Sequence, residues 1–277
     1  MLSHVLRGLS LVILFVFSTT VHAGGTSDCT PIDSVPIVIN SPGSYCLSKD
    51  FNLSIPAGKA IFIKSDDVNL DFRHYSLNNA LGRLGNTASG VYYNNRDHVK
   101  ITGGTITGFG TGIHIDDVRS MGNRISSMKF YNIRGTGIDA EGTDLQVSRN
   151  SFNMIGGSTF YRDAIAIGFK GMSPRITGNA IRNLTADDDN AVGIQLNDST
   201  NPYVADNILD TFSSPKLSYG MRYNFTKNAI ILRNTFYGSD VGIGFENGSS
   251  GLTNDTFMQD VTTPTTGTGL IFIGHNF

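Results

Sequence analysis

One short phrase constrains this chain more than anything else in it: a small residue followed by alternating apolar and polar positions, repeated along nearly the whole sequence. It reads Gly112-Ile113-His114-Ile115-Asp116 in its clearest form. It returns as Gly137-Ile138-Asp139-Ala140-Glu141, Gly193-Ile194-Gln195-Leu196-Asn197 and Gly220-Met221-Arg222-Tyr223-Asn224. Further copies are Ala60-Ile61-Phe62-Ile63-Lys64, Gly90-Val91-Tyr92-Tyr93-Asn94, Gly242-Ile243-Gly244-Phe245-Glu246 and Gly269-Leu270-Ile271-Phe272-Ile273. Their first apolar residues fall at 61, 91, 113, 138, 165, 194, 221, 243 and 270, a step of roughly 26 residues. The copy near 165 fits two registers.

Each period holds two more apolar beats. The second runs through Leu70, Ile101, Ile125, Val147, Ile176, Val204, Ile231 and Leu252. The third runs through Leu77, Ile106, Phe130, Phe152, Ile181, Leu209, Phe236 and Phe257. Three short strands per period, separated by small or polar residues, describe one triangular turn of a solenoid. A single turn cannot bury its apolar face, so neighbours must stack, strand on strand, in parallel. Side chains alternate between the two faces of a strand, so every second residue enters a shared core. Asn150, Asn179, Asn207 and Asn234 recur two residues before the third beat, where stacked side-chain amides can bond along the axis and a left-handed backbone is tolerated. A leucine-rich repeat lacks its defining phrase here, and a propeller blade needs a longer period.

With these beats and the asparagine ladder, residues 58–277 resemble the right-handed parallel β-helix proteins of the pectate-lyase-like superfamily. The resemblance implies an all-β solenoid of about nine coils. It also implies a surface of the kind on which lyases, epimerases and hydrolases act on carbohydrate. No catalytic motif of those enzymes carries over residue by residue. A chain with no Trp cannot hold the tryptophan-bearing motif of the pectate lyases.

The ends have their own signals. Residues 1–23 read as a secretory signal peptide: Arg7, an apolar run from Leu11 to Phe17, and the small-x-small pattern Val21-His22-Ala23. The run is short for a membrane span, which takes ~20 apolar residues. The expected location is therefore secreted or periplasmic. Residues 24–57 are read as an N-terminal cap, because an uncovered solenoid end invites pairing with another chain. The only two cysteines, Cys29 and Cys46, are expected to pin it as a disulfide in an oxidising compartment. A formal net charge of −2 points to neither a nucleic-acid partner nor an anionic membrane surface. The apolar last phrase suggests self-association through the C-terminal coil.

Parity locates the candidate site. With Ile113 and Ile115 inside, His114 and Asp116 face out, as do Tyr92 and Asn94, Asp139 and Glu141, Gln195 and Asn197, Arg222 and Asn224, and Lys170. The turns entering these strands (81–89, 156–163, 185–190 and 213–219) are the long ones, and they carry Tyr161, Arg162 and the run Asp187-Asp188-Asp189. Such a polar strip suits an acidic polysaccharide. Elimination or epimerisation at a uronate needs a base beside the acidic carbon and a neutralising cation. His114, Lys170 or Arg222 are candidate bases and Tyr92 a candidate acid. Asp139 and Glu141 join the catalytic set, or with Asp116 hold Ca²⁺, which takes several oxygen ligands. Tyr92, Asn94, Asp116, Gln195, Asn197, Tyr161 and Arg162 would line the substrate. In a hydrolase, two of the carboxylates would act instead. The alternative is a non-catalytic scaffold or glycan-binding adhesin, in which opposite charges on adjacent strands are ordinary cross-strand pairs.

Overall fold

The computed structural model describes residues 29–79 and 85–273, and the signal-peptide reading and the turn around Arg83 lie outside them. The described chain is a right-handed parallel β-helix without α-helices. Its first sheet has ten strands, from Ile37–Ile39 to Thr263–Thr266. The second has eleven, from Thr30–Ile32 to Leu270–Ile273. The third has nine, from Phe51–Leu53 to Phe257–Gln259, giving nine complete coils among the described residues. The stretch expected as a cap already supplies a strand to each sheet, and Cys29 is bonded to Cys46 with Cα atoms 5.7 Å apart.

The apolar beats meet in the core. Ile61, Val91, Ile113, Ile138, Ile167, Ile194, Met221 and Ile243 align in the first sheet, and all are fully buried. The ambiguous coil is thereby settled on Ile167, not Ile165. Third-sheet residues Phe130 and Phe152 stack with ring centres 4.7 Å apart. Tyr93 lies wholly buried in the core, with no hydrogen-bond partner for its hydroxyl among the described residues. Removing that hydroxyl relieves the cost of a stranded polar group, so Tyr93→Phe should raise stability by about 1 kcal/mol in urea denaturation. A loss of that size instead would mean that the hydroxyl is satisfied.

The asparagine ladder forms as a continuous buried chain. Asn150 Nδ2 donates to Asn179 Oδ1 at 3.0 Å, Asn179 Nδ2 to Asn207 Oδ1 at 2.9 Å, and Asn207 Nδ2 to Asn234 Oδ1 at 2.9 Å. Each Oδ1 also accepts the backbone N–H of the asparagine below. The left-handed backbone expected at these asparagines falls one residue earlier, on Arg149, Gly178, Asp206 and Arg233. That residue turns the corner; the asparagine then points inward and bonds along the axis.

The last coil departs from the sequence reading. Leu270–Ile273 does not extend the first sheet; it pairs in the second, with Leu252 opposite Ile271. Thr263–Thr266 takes the first-sheet place beside Val241–Glu246. The reason is the corner at Gly267, whose φ of +87° and contact with Phe245 leave no room for a side chain, since a Cβ there would sit 1.7 Å from a carbonyl oxygen. The chain must turn at that point, so the phrase after it belongs to the next sheet. The inward residues of this coil also slip by one, to Thr253 instead of Leu252 and Met258 instead of Phe257. Ile271 is left 63% exposed.

Candidate active-site face

The outward positions of the first sheet form two columns at ~4.8 Å per coil. One runs Phe62, Tyr92, His114, Asp139, Gly168, Gln195, Arg222. In the other, Asn94 stands beside Asp116, and Glu141, Lys170, Asn197, Asn224 and Glu246 follow in register. The candidates therefore share a face, but only some of them interact.

The tightest group is Tyr92, His114, Asp116 and Asp139. His114 Nε2 lies 3.8 Å from Asp139 Oδ2, and the Tyr92 ring stands edge-on to the imidazole at 5.3 Å between centres. The Tyr92 hydroxyl donates to Asp116 Oδ2 at 3.1 Å, as does Asn94 Nδ2 at the same distance. Loss of hydration among its neighbours lifts the Asp139 carboxyl above its usual range, although 54% of the side chain remains exposed. His114 pulls it back, and the Asp116 charge lifts it further. Loss of hydration also raises the Tyr92 phenol, and its bond to Asp116 adds to the shift, so Tyr92 keeps its proton.

Beside this group lies a groove of about 390 Å³ lined by Lys59, Phe62, Lys64, Tyr92, Asn94 and Arg96. The Lys59 ammonium lies 3.3 Å from the Tyr92 ring centre and 4.4 Å from that of Phe62. Loss of hydration lowers its pKa, with Asp116 acting to raise it and Lys64 to lower it. Sequence parity misses Lys59 because it counts residue 59 inward with Ile61. In fact the strand bends one residue before each beat. Gly112 and Gly137 face the core there, where a Cβ would sit 2.7 Å from the rings of Phe130 and Phe152. The preceding residue then turns outward. The small residue before every beat was the available signal.

The other candidates are engaged elsewhere. Lys170 Nζ lies 3.9 Å from Asp198 Oδ2, and no ion pair joins it to Glu141, its neighbour in register, among the described residues. Arg222 holds Glu246 through two bonds, Nε to Oε1 at 3.0 Å and Nη2 to Oε2 at 2.9 Å. It lies three strands from Asp139, ~14 Å along the sheet. Gln195 and Asn197 occupy the nearer to Arg222 of the two intervening strands, with Gln195 Oε1 buried and unpartnered among the described residues. Among the described residues no group of three His, Cys, Asp or Glu side chains is arranged to hold a metal ion. Of the expected Ca²⁺ ligands Asp116, Asp139 and Glu141, Asp116 is turned to Tyr92 and Asn94, and Asp139 to His114.

Three of the long turns build a wall along this face. Tyr161 rests on Gly110 and Gly135, with its hydroxyl 3.4 Å from Thr111 Oγ1. Arg162 Nε donates to Asp188 at 3.1 Å, and Lys216 Nζ reaches Asp189 Oδ1 at 2.9 Å, so basic neighbours answer the acidic run. The Lys216 hydrogen bond holds the Asp189 carboxyl below its usual range. Under the wall, Val192, Tyr219 and Val241 pack with Ile165 into a second apolar cluster outside the main core. These residues occupy the same outward-turned position as Lys59.

The family model of the right handed beta helix region matches residues 89–257. No curated protein matches the chain in sequence. Among solved structures it is similar to the Dettilon tailspike protein, with 15% identity over 86% of this chain and 54% of that one, at a TM-score of 0.57. It is also similar to the enzymatically active domain of tailspike protein 2 from bacteriophage CBA120, with 13% identity over 84% of this chain and 41% of that one, at a TM-score of 0.57. An alginate lyase from Paenibacillus sp. matches at 13% identity and a TM-score of 0.43, over 78% of this chain and 93% of that one. The chain spans about half of the first tailspike and less of the second.

Proposed function

Because the chain belongs to the right-handed β-helix family, we propose that it is a secreted protein that binds an extended acidic polysaccharide along the first-sheet face and modifies it by proton transfer, as a lyase or epimerase. The observation that carries this reading is the convergence of His114 and Asp139 with Tyr92 and Asp116, next to a groove lined by Lys59, Lys64 and Arg96. Fold alone does not select a reaction. The CBA120 tailspike domain is described as enzymatically active on this fold, and here the residues must supply the chemistry.

In this reading His114 takes the proton from the carbon beside a uronate carboxylate, and Asp139 orients the imidazole and stabilises its charged form. Lys59 offsets the charge that develops on the carboxylate. The electron pair left on carbon then expels the glycosidic oxygen and forms a double bond, with Tyr92 delivering the proton to the departing oxygen. If a proton instead returns to the carbon from the opposite face, the product is the epimer. Secretion is supported by the signal-like residues 1–23 and the Cys29–Cys46 bond.

The test is turnover of polygalacturonate, alginate and other uronates by the purified protein, with and without Ca²⁺. Unsaturated ends or a changed uronate composition are expected. New reducing ends without unsaturation would move the chemistry to hydrolysis, with Asp139 and Asp116 as the carboxylates. Binding without any turnover would leave a glycan-binding protein and remove the enzyme.

A further inference from the structure

A second polar track runs along a different side of the helix. In the second sheet Lys100, Arg124, Gln146 and Arg175 stand in register. Two residues on, Thr102, Ser126, Ser148 and Thr177 form a parallel column of hydroxyls. The residues between them, Ile101, Ile125, Val147 and Ile176, are fully buried, so both flanking columns face outward. Arg149 follows Ser148 at the corner. Lys100, Arg124 and Arg149 border a groove of about 330 Å³ with the hydroxyls of Thr102, Ser126 and Ser148.

These cations stand in a row without ion-pair partners among the described residues, as Lys59 and Lys64 of the first-sheet groove also do. Elsewhere Arg119 pairs with Asp117, Arg162 with Asp188, Arg222 with Glu246 and Arg233 with Asp206. Lys100, Arg124 and Arg149 have no carboxylate within ion-pair reach among the described residues. The acidic neighbour in register, Asp71 beside Thr102, is turned to the backbone N–H of Arg73 at 2.8 Å. A chain of net charge −2 thus keeps a row of unneutralised cations on one strip.

We infer that this second-sheet strip is a binding track for an extended polyanionic glycan, separate from the first-sheet site. Guanidinium groups bind sulfate, phosphate or carboxylate in two-pronged fashion. The hydroxyl column supplies donors and acceptors suited to sugar hydroxyls, at a spacing set by the coil. A single-stranded nucleic acid needs free aromatic platforms for its bases, whereas Tyr203, the ring next in the cation column, is covered by Arg175 at 4.5 Å. An anionic lipid surface is met by apolar side chains set among the cations, and this groove has hydroxyls in that place. The inference does not depend on turnover at the first sheet.

The experiment is fluorescence anisotropy of labelled dextran sulfate with the full-length protein, against neutral dextran. Binding should be specific to the sulfated chain and should weaken as salt rises. The triple change Lys100→Gln, Arg124→Gln, Arg149→Gln should weaken it by roughly tenfold or more, as several exposed contacts are lost together. Lys129→Gln, an exposed cation on the third sheet and outside both faces, should leave it within about twofold. If the triple variant is poorly folded by thermal melt, Arg124→Glu alone, at an exposed strand position, must reproduce a clear part of the loss. No binding at low salt would overturn the inference, as would binding indifferent to both sets of second-sheet changes. So would tighter binding of single-stranded RNA or anionic vesicles through the same residues.

Discussion

Asn179→Ala is expected to destabilise the protein by about 4 kcal/mol, seen as a shift of the urea midpoint. The Asn179 side chain makes four hydrogen bonds in a buried setting. Its Oδ1 accepts from the backbone N–H and the Nδ2 of Asn150, and its Nδ2 donates to Val147 O and Asn207 Oδ1. Truncation strands two N–H groups of Asn150 where water has no access, and a stranded buried donor costs ~1–3 kcal/mol. The lost bonds lie at the contact between successive coils, which is where a solenoid holds its stability. Asn153→Ala is the control. Its Oδ1 also accepts from an asparagine one coil on, Asn183, at 2.8 Å, but at the surface. That change should stay within ~0.5 kcal/mol. Equal effects from the two variants would mean that burial is not what makes the ladder matter.

On a uronate that the protein turns over, His114→Ala should lower kcat/KM by roughly 10²–10⁴-fold, the usual worth of a positioned acid–base group. Asp139→Asn should also lower it and should change its pH dependence. The Asp139 carboxyl is held above its usual range by loss of hydration, and only its ionised form stabilises a charged imidazole. Activity should therefore climb with pH through that raised value, and the Asn variant should lose this limb. The stability effect has the opposite sign. A raised carboxyl pKa favours the protonated fold, a contribution complete below the unfolded value of about 3.9 and lost as pH rises through the folded value. Above that window Asp139→Asn should be at least as stable as the parent protein, so lower activity cannot be assigned to unfolding. A parent-like rate in either variant would sink the assignment of the base.

Tyr92→Phe separates the acid from the base, because it removes the phenol proton and the bond to Asp116 while leaving the ring against His114. The two roles are distinguishable because the groups that serve them lie on neighbouring coils.

The sequence and the structure divide along a physical line. A step of roughly 26 residues with three apolar beats has few other ways to bury its apolar side chains, so the solenoid, its three sheets and the buried asparagines could be read from letters alone. The side-chain period of two likewise put His114 and Asp139 on one outer face. Periodicity says which way a residue points, but not how far its side chain reaches or what meets it there. Lys170 found Asp198, Arg222 took Glu246, and Asp116 turned to Tyr92 and Asn94, because turn geometry and rotamers place those groups within reach of one another. The bend before each beat exposed Lys59, and the corner at Gly267 moved the last phrase to another sheet, since close backbone contact overrides a two-residue alternation.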